Sequence, residues 1–127
     1  MINLTPLTDT YTIYQLLSTQ EIPSQILASE FYSITKSNDE ISIISNCKKD
    51  FKYLKSSKEW KGFKVEGILD FSLVGIINEI TKPLKDNKIS VFVISTFNTD
   101  YIFVKEKLFN KSIEILNNTD GIKIKNK

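Results

Sequence analysis

Two segments of the chain, residues 32–44 and 92–104, share one pattern of apolar and polar positions and align without a gap. Each pattern predicts a strand, a short polar turn and a second strand. An acid occupies matched places in this alignment, Glu40 in the first segment and Asp100 in the second. A repeated hairpin indicates duplication of one supersecondary unit, with function between two related halves.

The second half of the chain has the clearer pattern. Strands and helices alternate along it, in the order strand 63–68, helix 73–84, strands 89–96 and 101–104, helix 108–116 and strand 122–125. Pro83 removes a backbone donor and is expected to kink or end the first helix. The order β-α-β-β-α-β is the split βαβ plan, in which an antiparallel sheet is backed by two helices.

The first half fits a shortened version of this plan. Its predicted elements are a strand at 11–16, the first hairpin and a brief helix at 51–54. No separate closing strand is evident before Trp60, and residues 2–4 are expected to supply that edge from the N-terminus.

The chain is therefore predicted to contain a degenerate unit over residues 1–58 and a complete unit over residues 59–127, with the boundary at Ser56–Lys58. Strand 89–94 is apolar at nearly every position, which predicts that both of its faces are covered. Helices would cover one face, and the other half of the chain or a second copy would cover the other. The predicted fold class is α+β.

Composition excludes several classes of function. The chain has no histidine, which is the commonest general base and metal ligand, and no glycine-rich phosphate loop. We therefore expect no enzyme activity, no cofactor and no metal. A net charge of +2 with scattered basic residues predicts no nucleic-acid partner. The single Cys47 predicts a reducing, cytoplasmic location, and no apolar run is long enough to span a membrane.

Residues 70–77, 81–84 and 89–104 resemble the ACT domain of small tandem-ACT proteins, which are similar to aspartate kinase regulatory domains and cytosolic arginine sensors. Residues 31–35 and 39–43 resemble the shortened first repeat of that family. The resemblance implies tandem ferredoxin-like (βαββαβ) units with antiparallel sheets backed by helices. It also implies an amino acid bound between units, no catalysis, a homo-oligomer (most simply a dimer), and a separate regulated protein, since the chain has no kinase domain.

The predicted ligand site begins with the turn that opens the first helix of the second half. Its residues are Asp70, Phe71, Ser72, Leu73, Val74 and Gly75. Free backbone N–H groups and the positive end of the helix dipole suit a carboxylate there, and Gly75 allows close approach. The alternative for these residues is an ordinary helix start, with Asp70 as its N-cap.

Two acids complete the predicted site, because Asp100 and Glu40 can each accept from an ammonium or another cation. The alternative is a solvated acid in a hairpin turn. In the arginine sensors an Asp that matches Asp100 belongs to the ligand pocket, so the resemblance favours Asp100. Ser95 and Thr96 add hydroxyl groups to the site, although they also suit the end of a strand.

The predicted function is therefore that of an amino-acid-binding regulatory sensor. The alternative is a protein-interaction or structural module that has lost its ligand. A hydrolase based on acidic residues is a third hypothesis, and it is disfavoured because no nucleophile–base pair is present.

Overall fold

The computed structural model describes residues 1–67 and 75–125. Its elements, in chain order, are β1 (Ile2–Pro6), β2 (Tyr11–Leu16), α1 (Ser24–Leu27), β3 (Tyr32–Lys36), β4 (Ile41–Ser45), β5 (Lys55–Val65), α2 (Ile76–Asp86), β6 (Phe92–Ser95), β7 (Asp100–Lys105), α3 (Phe109–Asn117) and β8 (Ile122–Ile124). A 3₁₀ turn, Glu106–Leu108, precedes α3. The mixture of sheet and helix confirms the predicted α+β class.

The chain forms two compact units. The first unit comprises residues 9–60, and the second unit combines residues 1–8 with 61–127. Strand β5 passes through the boundary, so its first half belongs to the first unit and its second half to the second.

In the first unit the strand order is β3-β4-β2-β5, and each pair of neighbours is antiparallel. One short helix, α1, packs on this sheet through Ile26. The core is made of alternate residues of β2 and β4 with Ile26, namely Tyr14, Leu16, Ile26, Ile41 and Ile43. Burial raises the pKa of Tyr14 above its ordinary value, so this ring stays neutral at physiological pH.

The brief helix predicted at 51–54 is wrong, because these residues have no helical structure. The rings of Phe51 and Tyr53 both pack near Tyr14, with centroids 4.6 and 5.3 Å from its own. The backbone N–H of Leu54 donates to the carbonyl of Gln15 at 2.8 Å. Packing of both rings on one tyrosine, followed by sheet pairing, favours an extended path over a helical turn.

In the second unit the strand order is β6-β7-β5-β1-β8. Helices α2 and α3 pack against the same side of this sheet, where apolar side chains of every element meet, including Leu4, Phe63, Val65, Ile80, Leu84, Ile102, Val104 and Leu116. Pro83 lies in the last turn of α2, which continues to Asp86. The predicted helix is present from Ile76 and its apolar stripe faces the core, while its predicted start at Leu73 lies outside the described residues. The proline falls near the end of the helix, where it disturbs few hydrogen bonds.

The predicted place of residues 2–4 is wrong. Strand β1 belongs to the second unit, where Leu4 pairs with Val65 of β5 and Ile2 pairs with Ile122 of β8. The first unit is closed instead by the first half of β5, in which Ser56 pairs with Tyr14. Unpaired strand edges need partners, and a single long strand supplies them in both units.

The predicted boundary at Ser56–Lys58 accordingly lies inside a strand of 11 residues. Serine and lysine resemble a linker in sequence, although they are also typical of an exposed strand. Glu59 has a left-handed φ of 64°, and the register of β5 against β2 shifts between Tyr11 and Ile13. This bulge lies within the pairing of β5 with β2, which resumes at Trp60 before Phe63 pairs with β1.

No helix in the described ranges, 1–67 and 75–125, is long and apolar enough to cross a membrane.

One tight contact in the second unit offers a test of its packing. Gly62 is buried, and a Cβ atom there would lie 2.7 Å from both Cδ1 and Cε1 of Phe103 and 3.3 Å from the side chain of Leu7. We expect Gly62→Ala to lower the free energy of unfolding by about 1–3 kcal/mol, as overpacked cores do. Urea unfolding measures this change.

The matched control combines Gly62→Ala with Phe103→Leu, which removes the ring that the new methyl group meets. We expect the double variant to lose less stability than the sum of the two single variants. Strict additivity would contradict the contact. Since Gly62 is not among the glycines with positive φ, alanine there introduces no backbone strain.

Candidate functional site

The turn between β6 and β7 is fixed by the hydroxyl groups of two threonines. The backbone N–H of Thr96 donates to the carbonyl of Thr99 at 2.8 Å, and the hydroxyl of Thr96 donates to the same carbonyl at 3.0 Å. The hydroxyl of Thr99 is buried and donates to the carbonyl of Val65 at 2.6 Å. The hairpin is thereby tied to the end of β5, and the residues beside the turn are held in place.

Ser95 and Asp100 lie opposite each other at the base of this turn. Side chains alternate along a strand, so Asp100 lies on the same face of β7 as Ile102 and Val104, which are fully buried in the core under the helices. Asp100 itself is half-buried. Two of the predicted site residues therefore lie together, at the edge of the face that the helices cover.

The two hairpins correspond at a separation of 59 residues, one less than the sequence alignment predicts. Each turn has four residues, since Lys36 pairs with Ile41 and Ser95 pairs with Asp100. The backbone N–H of Ser37 donates to the carbonyl of Glu40 at 2.9 Å, as that of Thr96 does to Thr99.

Asp100 therefore corresponds to Ile41, and Glu40 corresponds to Thr99. The prediction that the two acids occupy matched places is wrong, because the strand pairing shifts the correspondence by one residue. A shift of one residue moves a side chain to the other face of a strand. The side chain of Glu40 accepts a hydrogen bond from Nε2 of Gln15 at 3.2 Å within the first unit.

The position of Asp100 is unusual for a charged residue. Its counterpart Ile41 is 1% exposed and belongs to the core of the first unit. In the described residues the carboxylate of Asp100 has no hydrogen-bond donor and no cationic partner. A partly buried charge without a partner destabilises a fold, so this carboxylate is suited to binding a cation.

Gly75 precedes α2 and has a left-handed φ of 82°. It is exposed, and its carbonyl accepts from the N–H of Glu79 at 2.9 Å. The other predicted residues of this turn, Asp70, Phe71, Ser72, Leu73 and Val74, lie outside the described residues.

Thr96 lines a cavity of about 320 Å³ together with Lys64, Gly67, Asn98, Thr99 and Tyr101. Tyr101 alternates with Asp100 along β7, so this cavity opens on the face of the strand opposite to Asp100. The predicted site residues are thus divided between two faces of one hairpin. The sequence pattern does not identify Lys64 as a site residue. Its only distinguishing feature in the sequence is its position between two apolar residues of a strand.

Comparison with known proteins identifies the family of the chain. A model of the ACT domain matches residues 55–118, which is half of the chain. The chain belongs to the ACT-domain family. A second family model, that of an N-terminal domain, matches residues 9–51. The comparison with curated proteins gave no match.

Solved structures support the ACT-like fold over nearly the whole chain. A crystal structure of a protein from Agobacterium tumefaciens is 29% identical, with a TM-score of 0.84 over 99% of this chain and 95% of that one. A protein of unknown function from Vibrio cholerae, described as a possible transport protein, is 14% identical, with a TM-score of 0.67 over 90% and 86% of the two chains.

The ligand-free regulatory subunit of aspartate kinase from Thermus thermophilus is 8% identical, with a TM-score of 0.62 over 88% of this chain and 93% of that one. This likeness and that to the Vibrio protein show a shared fold. The predicted resemblance to aspartate kinase regulatory domains is therefore confirmed at the level of fold.

The hydrogen bond from the Thr99 hydroxyl to the carbonyl of Val65 is expected to contribute to the free energy of unfolding. We expect Thr99→Val to lower the free energy of unfolding by about 1–3 kcal/mol, because the buried carbonyl of Val65 loses a hydrogen-bond donor. Thr99→Ser keeps the hydroxyl group and should recover part of the loss. Thermal unfolding of both variants gives the measurement, and equal stability of Thr99→Val and Thr99→Ser would contradict this role of the hydroxyl.

Proposed function

We propose that this protein is an amino-acid-binding regulatory protein without catalytic activity of its own. The observation that carries the proposal is the half-buried carboxylate of Asp100, which occupies a position where the other hairpin has a core isoleucine. A residue that does not serve the stability of the fold is a candidate for binding. Membership of the ACT-domain family supports the same interpretation.

The proposed ligand is complementary to two kinds of group. A free amino acid carries an ammonium group, for which Asp100 is the acceptor and the hydroxyl of Ser95 a second polar contact. It also carries a carboxylate, for which the N–H groups at the start of α2, from Ser72 to Gly75, are the proposed donors. Glu40 of the first unit is the weaker candidate acceptor, because its side chain already accepts a hydrogen bond from Gln15.

The regulatory part of the proposal rests on the family. We propose that the chain regulates the activity of a separate protein. We also propose that the first unit is a degenerate ACT-like repeat, that the chain forms a homodimer, and that it works in the cytoplasm without nucleic-acid or membrane partners. Light scattering at high micromolar concentration tests the dimer.

Asp100→Asn tests the site. We expect the standard free L-amino acids to include one that raises the melting temperature of the wild-type protein, because binding to the folded state adds stability. Asp100→Asn should bind that amino acid about ten- to a hundredfold more weakly, since one charge-assisted hydrogen bond contributes roughly 1.5–3 kcal/mol. Isothermal titration calorimetry measures the change.

Two further observations make the test specific. Without ligand, the Asp100→Asn protein should have a melting temperature at least as high as that of wild type. The variant removes a half-buried charge that has no partner among the described residues. Asp120→Asn, a change of an exposed acid in the same unit, should leave both binding and stability unchanged. If Asp100→Asn binds as tightly as wild type, the site is wrong. If no amino acid shifts the melting temperature at millimolar concentration, the protein-interaction module becomes the better hypothesis.

A further inference from the structure

A second cavity lies entirely within the first unit, and the site proposed above does not use it. Its volume is about 440 Å³. One wall consists of α1 and the residues that follow it, the other of residues 46–49 after β4, and Asp9 contributes from the segment before β2. This volume is within the range of sites that bind small molecules.

The polar side chains that line this cavity are held in place by hydrogen bonds to one another and to neighbouring residues. Nδ2 of Asn46 donates to Oδ2 of Asp9 at 2.7 Å, and Oδ1 of Asn46 accepts from the backbone N–H of Phe31 at 3.1 Å. The hydroxyl of Ser29 lies 2.9 Å from that of Ser45, which is fully buried. The cavity is therefore preorganised, which lowers the entropic penalty of binding.

Charges of both signs line this cavity. Asp9 is half-buried and Glu30 is exposed, whereas Lys48 and Lys49 come from the opposite wall. Within the part of the chain that the structure describes, none of these four residues forms an ion pair with another of them. Oδ2 of Asp9 accepts from a neutral amide, so its negative charge has no cation to balance it there.

We propose that this cavity binds a free amino acid as a zwitterion, with the ammonium group on Asp9 and the carboxylate on Lys48 and Lys49. A compact ligand that carries both charges can pair with Asp9 and with the two lysines, which form no ion pair with each other in the described structure. A ligand with one charge would satisfy one wall only. The proposal is independent of the site at Asp100, because every lining residue belongs to the first unit.

Cys47 provides a direct reporter of occupancy. It is the only cysteine of the chain and is partly exposed in the lining of this cavity. Its thiol donates weakly to the carbonyl of Gln25 at 3.5 Å and lies 3.7 Å from that of Lys49. A ligand that fills the cavity covers this thiol.

The experiment follows the reaction of Cys47 with Ellman's reagent in the full chain. The probes are the standard free L-amino acids, each compared with its N-acetyl derivative and its α-amide. We expect at least one free amino acid to slow the reaction about tenfold when its concentration is about ten times its dissociation constant, since only the empty protein reacts. The N-acetyl derivative lacks the cation and the α-amide lacks the anion, so neither should protect.

Variants locate the effect. Asp9→Asn, and Lys48→Gln combined with Lys49→Gln, should each abolish protection. Asp39→Asn and Lys52→Gln change exposed charges of the same unit outside the lining and should leave protection intact. Asp100→Asn should also leave it intact, so that failure of one site is distinguished from failure of the other. Equal melting temperatures of the unliganded variants show that each is folded.

Three results would overturn the proposal: no free amino acid protects Cys47, the singly charged derivatives protect equally well, or Asp100→Asn removes the protection. Nuclear magnetic resonance gives a second readout through the side-chain amides of Gln25 and Asn46, which both line the cavity. We expect both resonances to shift with the protecting amino acid. Protection without these shifts would place the ligand elsewhere and also overturn the proposal.

Discussion

The fold depends on the hydrogen bonds of one strand. Strand β5 has 11 residues, and its first half pairs with β2 while its second half pairs with β1 and β7. Backbone N–H and C=O groups at a buried strand edge need hydrogen-bond partners. The pairing with β2 ends at Trp60 and the pairing with β1 begins at Phe63, so each unit is closed by a different stretch of the same strand. Neither unit is complete without β5, which is why the division of the chain does not follow the simple halves of the sequence.

The sequence is most informative where apolar periodicity is strong. The apolar stripe along α2 and the continuous apolar run of β7 predict the core of the second unit, in which Ile80, Leu84, Ile102 and Val104 are all fully buried. Pairing between distant strands is harder to predict. Residues 2–4 are apolar enough to close either unit, and only the full set of strand partners assigns β1 to the second.

The candidate site shows the same limit at the scale of one residue. Sequence similarity aligns Glu40 with Asp100, whereas turn geometry aligns Glu40 with Thr99 and Asp100 with Ile41. The apolar residues around both turns permit either alignment, and hydrogen bonds across the turn decide between them. The family resemblance therefore favours Asp100. The strand register adds that this half-buried charge occupies the position where the first hairpin has the core residue Ile41. The place of Lys64 in its cavity, and the cavity of the first unit, arise from contacts between segments far apart in sequence. The periodicity of apolar residues does not predict such contacts.

The two hairpins share the geometry of a four-residue turn, and their corresponding residues have different surroundings. In the first, Ile41 contributes to the core, and the neighbouring acid Glu40 is engaged by Gln15. In the second, the corresponding position carries Asp100, and the hydroxyl of Thr99 anchors the turn to Val65. That anchor is a buried hydrogen bond, and it offsets part of the cost of placing a charge where the first hairpin has a core isoleucine. A hairpin held from one face of its strand can present an unsatisfied carboxylate on the other, and this separation of support from binding is what a ligand-responsive element requires.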